Sequence, residues 1–196
     1  MIGFYLTHPQ VNIDPSIPVP DWSLSDLGRE RLAAVTGRPW VASLAAIFSS
    51  AERKALESAA ILVQQAGCEI TTDAKMGEND REATGFLPPD RFEKAADWFF
   101  AHPDESYRGW ETARHAQNRI VERVESALQH HSAGDIAFVG HGGVGTLLKC
   151  HLGGFQVSRS QDQHAGGGCI FAFSLSQRRL LCDWTQVEIF ERAGLA

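Results

Sequence analysis

The order of elements in this 196-residue sequence predicts an α/β fold, a three-layer α/β/α sandwich on a mostly parallel sheet. Two observations carry that expectation. Short apolar runs at Ile2–Leu6, Leu44–Phe48, Cys68–Thr72 and Asp135–Gly140 alternate with segments of helical periodicity long enough to cross over between parallel strands. The runs Cys169–Leu175 and Leu180–Trp184 are joined only by Ser176-Gln-Arg-Arg179, which predicts a closing antiparallel pair. The length suits one domain over residues 1–196 with a substantial core.

The first strand, Ile2–Leu6, ends at Thr7-His8-Pro9, because Pro9 donates no ladder hydrogen bond and biases His8 towards extended backbone. After a proline-punctuated stretch, Ser25 is an N-cap for a helix to Val35, with Leu27, Leu32 and Val35 as its apolar side. The second strand, Leu44–Phe48, runs into Ser49-Ser50, which cap a helix from Ala51 to about Gln65, stopped by Gly67. Cys68–Thr72 is the third strand, and Asp73–Pro89 is a polar loop of functional length. Helices follow from Asp90 to Phe100 and from about Gly109 to His130. The strand Asp135–Gly140 then enters His141-Gly142-Gly143 and a helix over Val144–Leu152.

A net charge of -6 argues against nucleic acid or an anionic membrane as the main partner. No apolar run approaches the roughly 20 residues that span a bilayer. Scattered cysteines without C-x-x-C pairs, and a strand beginning at residue 2 that leaves no room for a leader, predict a cytoplasmic protein with free thiols. The eight histidines show no H-x-x-x-H or H-E-x-x-H spacing, so no metal is expected.

Three strand ends share one edge of a parallel sheet: His8, Ser49-Ser50 with Arg53, and His141-Gly142-Gly143. Two imidazoles and a guanidinium beside helix N-termini suit a phosphate dianion. Taken alone, Arg53 also reads as a surface arginine paired with Glu57 at i+4, and His141 as a strand-end residue. Gly140-His-Gly142-Gly-Val-Gly145 satisfies the dinucleotide fingerprint, but too little chain follows it to complete such a domain. Trp22 and Trp110 flank loops that border the expected pocket.

In combination these residues resemble the histidine phosphatase superfamily, also called phosphoglycerate mutase-like. Thr7-His8-Pro9 stands where the family has Arg-His-Gly, followed by Asn12. Leu24–Gly28 is similar to its Leu-Ser/Thr-x-x-Gly motif, Ser49–Arg53 to Ser-Ser-x-x-x-Arg with one residue fewer before the arginine, and Met76-Gly-Glu78 to Leu-x-Glu. Gly109-Trp-Glu111…Arg119 is similar to Gly-Glu-Ser…Arg, and Gly140–Gly143 to Ser-His-Gly-Gly. The resemblance implies a phosphoglycerate mutase-like fold and a cofactor-independent phosphatase of a small phosphomonoester. His8 would form a phosphohistidine, Arg53 hold the phosphate, His141 stabilise the transferring oxygens and Glu78 act as acid, with Glu82 as its substitute. Thr7, Arg53, His141 and Gly142 would contact phosphate. The expected partners are a small phosphorylated substrate or phosphate, and a second copy of the chain in a homodimer.

Thr7 departs from the family arginine and Pro9 from its glycine. A missing guanidinium at a phosphoryl-transfer centre costs of order 10³ or more in rate. Arg81, Lys54 and Arg159 are the candidate substitutes. The alternative function is therefore a catalytically weak or inactive phosphate-binding regulatory protein of the same fold.

Overall fold

In the computed structural model, which describes residues 1–131 and 133–195, six strands form one sheet: β1 (Ile2–Thr7), β2 (Leu44–Ser50), β3 (Ile70–Asp73), β4 (Asp135–Gly140), β5 (Cys169–Ser174) and β6 (Arg179–Gln186). Their spatial order is β3-β2-β4-β1-β5-β6. The β2–β3, β2–β4 and β1–β4 pairs are parallel, whereas β5 lies antiparallel to both β1 and β6. The connecting helices are α1 (Asp26–Ala33), α2 (Pro39–Ala42), α3 (Arg53–Ala66), α4 (Pro89–Ala101), α5 (Ala113–Gln129) and α6 (Gly142–Gly153).

Strand parity divides the core in two. Phe4, Leu6, Ala137, Val139 and Ile170 pack with residues of α1, α2 and α3 on one face. Tyr5, Ile136, Phe138, Phe171 and Phe173 pack with residues of α4, α5 and α6 on the other. β1 and β4 are buried throughout, as central strands covered on both sides must be. The expected three layers and the antiparallel closing pair are both present.

Local capping matches the sequence at several joints. Ser25 Oγ accepts the Gly28 N–H at the start of α1 (3.1 Å), and Gly67 closes α3 in the left-handed region (φ 66°). Other details differ. Leu27, expected to face inward, is exposed. The helix expected from Gly109 starts at Ala113, because Arg108 and Gly109 take positive φ (49° and 91°) and Thr112 caps it through the His115 N–H (3.1 Å). The short α2 was not expected. Among the described residues no helix is long and apolar enough to cross a membrane.

Candidate active site

The parallel register builds the site. Thr7 pairs with Gly140 and Ser49 with Val139, so His8, Ser50 and His141 emerge together at the carboxyl edge of three adjacent strands. The His8 N–H extends the ladder to the Gly140 carbonyl (3.0 Å). The His8 and His141 rings meet edge to face with centroids 5.3 Å apart.

His8 is fixed by its neighbours. Its Nδ1–H donates to the Pro9 carbonyl (2.9 Å), which leaves Nε2 as the unprotonated nitrogen. Its own carbonyl accepts the Gly168 N–H (3.1 Å), and a Cβ on Gly167 (φ 63°) would overlap that carbonyl. Burial, then the His141 ring, lowers the His8 pKa to about 3, so the imidazole is neutral at physiological pH.

His141 is fully buried, and burial lowers its pKa as well. Its Nε2 lies 2.8 Å from Ser50 Oγ and 3.3 Å from Glu52 Oε1. The Ser50 hydroxyl can donate or accept, so its contact fits either tautomer. Nδ1 is buried with no hydrogen-bond partner among the described residues. The Tyr5 hydroxyl accepts the His141 N–H and approaches its carbonyl, both at 3.3 Å, and burial raises the Tyr5 pKa.

Glu52 forms a buried pair with Lys54, whose ammonium also donates to the Val19 carbonyl (2.9 Å). Burial opposes ionisation of Glu52, but His141, Lys54 and the Glu78 N–H outweigh it and bring its pKa down to about 2. That N–H reaches Glu52 Oε1 at 2.8 Å. The Glu78 carboxylate spans the first turn of α6, accepting the Gly143 and Val144 N–H groups at 3.1 and 3.0 Å. A Cβ on Gly143 would stand 2.7 Å from Glu78 Oε1, so glycine makes that approach possible.

Glu111 and Arg119 act one step back. Arg119 donates to Glu111 (2.7 and 2.9 Å) and to the carbonyls of Lys75, Gly77 and Glu78. The pair thereby ties α5 to the loop that carries Glu78.

Two expected phosphate ligands are placed otherwise. Arg53 is the first residue of α3, over half exposed, and its Nε donates to Glu57 (2.9 Å). The helix begins at Arg53 rather than Ala51, which turns Arg53 outward and the 3 %-exposed Lys54 inward. Thr7 is fully buried; its Oγ1 accepts the Cys169 N–H (3.0 Å) and donates to Gln163 Oε1 (2.6 Å). Both hydrogen-bonding capacities of that hydroxyl are therefore used inside the protein. The fallback acid Glu82 is exposed and lines a neighbouring cavity rather than the cleft over His8.

That cleft, about 530 Å³, is bordered by His8, Glu78, Gly142 and Gln163, with Phe92 and Trp110 on its apolar side. Of the candidate cations along it, Arg159 is already engaged by Glu93, Asp97 and Asp162, whereas Arg81 stacks over Phe92 (4.9 Å) and has no carboxylate partner among the described residues. Trp22 packs on Phe86 instead (5.6 Å). The glycines of the dinucleotide-like fingerprint serve packing: a Cβ at Gly140 or Gly145 would strike the Tyr5 ring or hydroxyl. Glu52 and Gln163 were not named among the residues expected to form the site.

The sequence profile of the histidine phosphatase superfamily (branch 1) matches residues 16–186. The chain belongs to that superfamily. Thr7-His8-Pro9 precedes the matched stretch. No curated protein matches by sequence. Among solved structures, this family member is similar to a mycobacterial glucosyl-3-phosphoglycerate phosphatase in complex with inorganic phosphate, with a TM-score of 0.80, 19% identity and coverage of 96% of this chain and 99% of that one. It also resembles Bacillus stearothermophilus YhfR, at TM-score 0.77, 18% identity and coverage of 96% and 98%. A third is an alpha-ribazole-5'-P phosphatase candidate from Escherichia coli, at TM-score 0.68, 18% identity and coverage of 97% and 99%. These likenesses show the phosphoglycerate mutase-like fold of the superfamily member.

Proposed function

We propose that this protein is a cytoplasmic phosphatase that hydrolyses a small phosphomonoester through a phosphohistidine on His8. The observation that carries the reading is the Nδ1–H bond from His8 to the Pro9 carbonyl, which presents a neutral Nε2 beside a second imidazole. Nε2 attacks phosphorus as the ester P–O bond breaks, and the leaving oxygen takes a proton from Glu78. Water then attacks the phosphohistidine with Glu78 as base, releasing phosphate and restoring Nε2. For this to occur Glu78 has to be protonated and leave the first turn of α6, which frees the Gly143 and Val144 N–H groups for a phosphate oxygen. The His141 ring, beside Glu52, takes the proton of a monoanionic phosphoryl group on its unpartnered Nδ1 as negative charge gathers.

A second reading, a phosphate-binding regulatory protein with little turnover, is favoured by the charges at the cleft. Lys54 is neutralised by Glu52, Arg53 points away, and residue 7 carries no charge.

The test is metal-free hydrolysis of an aryl phosphate across pH by wild type and His8→Ala, with intact mass after an alkaline quench. Turnover and a phosphoryl adduct that vanish together in the variant support the enzyme. No turnover and no adduct from folded wild type, with phosphate still bound, support the binding protein.

A further inference from the structure

We infer that Gln163 supplies the phosphate-binding donor that residue 7 does not. The inference rests on the reading that phosphate binds beside His8, and it concerns which group then replaces the missing guanidinium.

The Gln163 side chain is held at its oxygen. Thr7 Oγ1–H donates to Oε1 (2.6 Å), and because Thr7 Oγ1 is itself pinned by the Cys169 N–H (3.0 Å), the amide is oriented. The main chain is fixed too: the Gln163 N–H donates to Asp162 Oδ1 (2.8 Å), which also accepts the Thr146 hydroxyl of α6 (2.8 Å). With Oε1 committed, Nε2 is directed the other way. It lies against Gly142, the residue after His141, where an added Cβ would overlap it. Gln163 and Gly142 border the same cleft as His8 and Glu78, and Nε2 forms no hydrogen bond among the described residues. A primary amide nitrogen carries two N–H donors, so an oxygen anion beside Gly142 would meet both a side-chain donor and the start of α6.

The same geometry explains why threonine suits position 7. Thr7 is sealed between Cys169 and Gln163, so a longer side chain there would need the space Gln163 fills. An arginine at residue 7 and an inward Gln163 are alternatives. The exchange replaces a charged donor by a neutral one, which lowers affinity without abolishing it.

The experiment is calorimetric titration of the full chain with inorganic phosphate, using wild type, Gln163→Met, Gln163→Glu and Thr7→Val, each checked by thermal melt. Gln163→Met keeps the length but removes the donor, and phosphate should bind about tenfold or more weakly. Gln163→Glu keeps the acceptor for Thr7 and adds a like charge, so binding should fall further. Thr7→Val, which frees the amide to rotate and also removes the acceptor of the Cys169 N–H, should melt lower than wild type and bind phosphate with an affinity between wild type and Gln163→Met. Folded Gln163→Met that binds phosphate as tightly as wild type overturns the role of Gln163 alone. Wild type that binds no phosphate overturns both this role and the reading on which it rests.

Discussion

Glu52→Gln removes the carboxylate that masks Lys54 while keeping an oxygen to accept the Glu78 N–H. The magnitude follows from linkage. A carboxyl group with an unfolded pKa of 4.5 and a folded value of about 2 contributes about 3 kcal/mol above pH 4.5. Because the folded value is the lower one, that stability is lost as pH falls from about 4.5 towards 2. Above this window the variant should be less stable by about that amount, the range expected when a buried charge loses its partner. For a chain of this length the melting point should drop by roughly 6–12 °C at pH 7. Below pH 2 the deficit should shrink, since wild type is then protonated as well. An oxyanion beside Lys54 should repair the loss. Removing one negative charge ~7 Å away at an effective dielectric of 20 favours a bound anion by about 2 kcal/mol, or roughly thirtyfold in affinity. Calorimetric melts with and without inorganic phosphate measure both effects. Equal phosphate-induced shifts in the two proteins would refute the idea that Lys54 faces the anion.

Three further outcomes are expected. Glu78→Gln should reduce hydrolysis of alkyl phosphates, which need a leaving-group proton, by about 10² or more, and reduce hydrolysis of activated aryl phosphates far less; equal losses in steady-state assays would take the acid role from Glu78. Burial neutralises His8 in the folded state (pKa about 3) but not in the unfolded one (6.5), so the unfolded chain binds the extra proton between those values and stability falls with pH. Urea melts at pH 7, 6 and 5 should show a shallower loss for His8→Gln, by up to about 1.4 kcal/mol per pH unit, and parallel slopes would contradict a neutral His8. Thr7→Arg alone should destabilise the fold by overpacking, whereas Thr7→Arg with Gln163→Ala should fold and raise turnover; a single variant as stable and active as the double would remove the steric argument.

What the sequence disclosed was whatever depends on strand ends. Proline after His8 and glycines after His141 mark where strands stop, whereas the second strand runs on through Ser49-Ser50, which were expected to cap the next helix, and parallel pairing brings the three ends together whatever lies between them. Helix faces were harder to place. Successive residues on a helix point about 100° apart, and the observed start of α3 at Arg53 with Glu52 as N-cap sends Lys54, not Arg53, inward. Glu52 was invisible for the same reason, since as a helix residue it reads as a surface charge and only as the N-cap does it meet His141. The Thr7–Gln163 bond joins residues 156 positions apart, and no local signal foretells it.

The rearranged ligands alter what the cleft asks of its substrate. Two neutral histidines, a masked lysine and the Glu78 carboxylate leave little standing positive charge beside His8. Attraction for a dianion then comes from oriented dipoles, the first turn of α6 and the Gln163 amide, together with Arg81 from the far side of the cleft. Such donors are preorganised but individually weaker than guanidinium forks, so affinity depends more on the rest of the molecule. The apolar side formed by Phe92 and Trp110 is where that contribution can be made. A phosphomonoester with a sizeable apolar body should therefore bind better relative to inorganic phosphate than it would at a cleft built on arginines. Weakening that wall should raise KM without changing the His8 adduct, which separates recognition from chemistry in a site that lacks its usual cations.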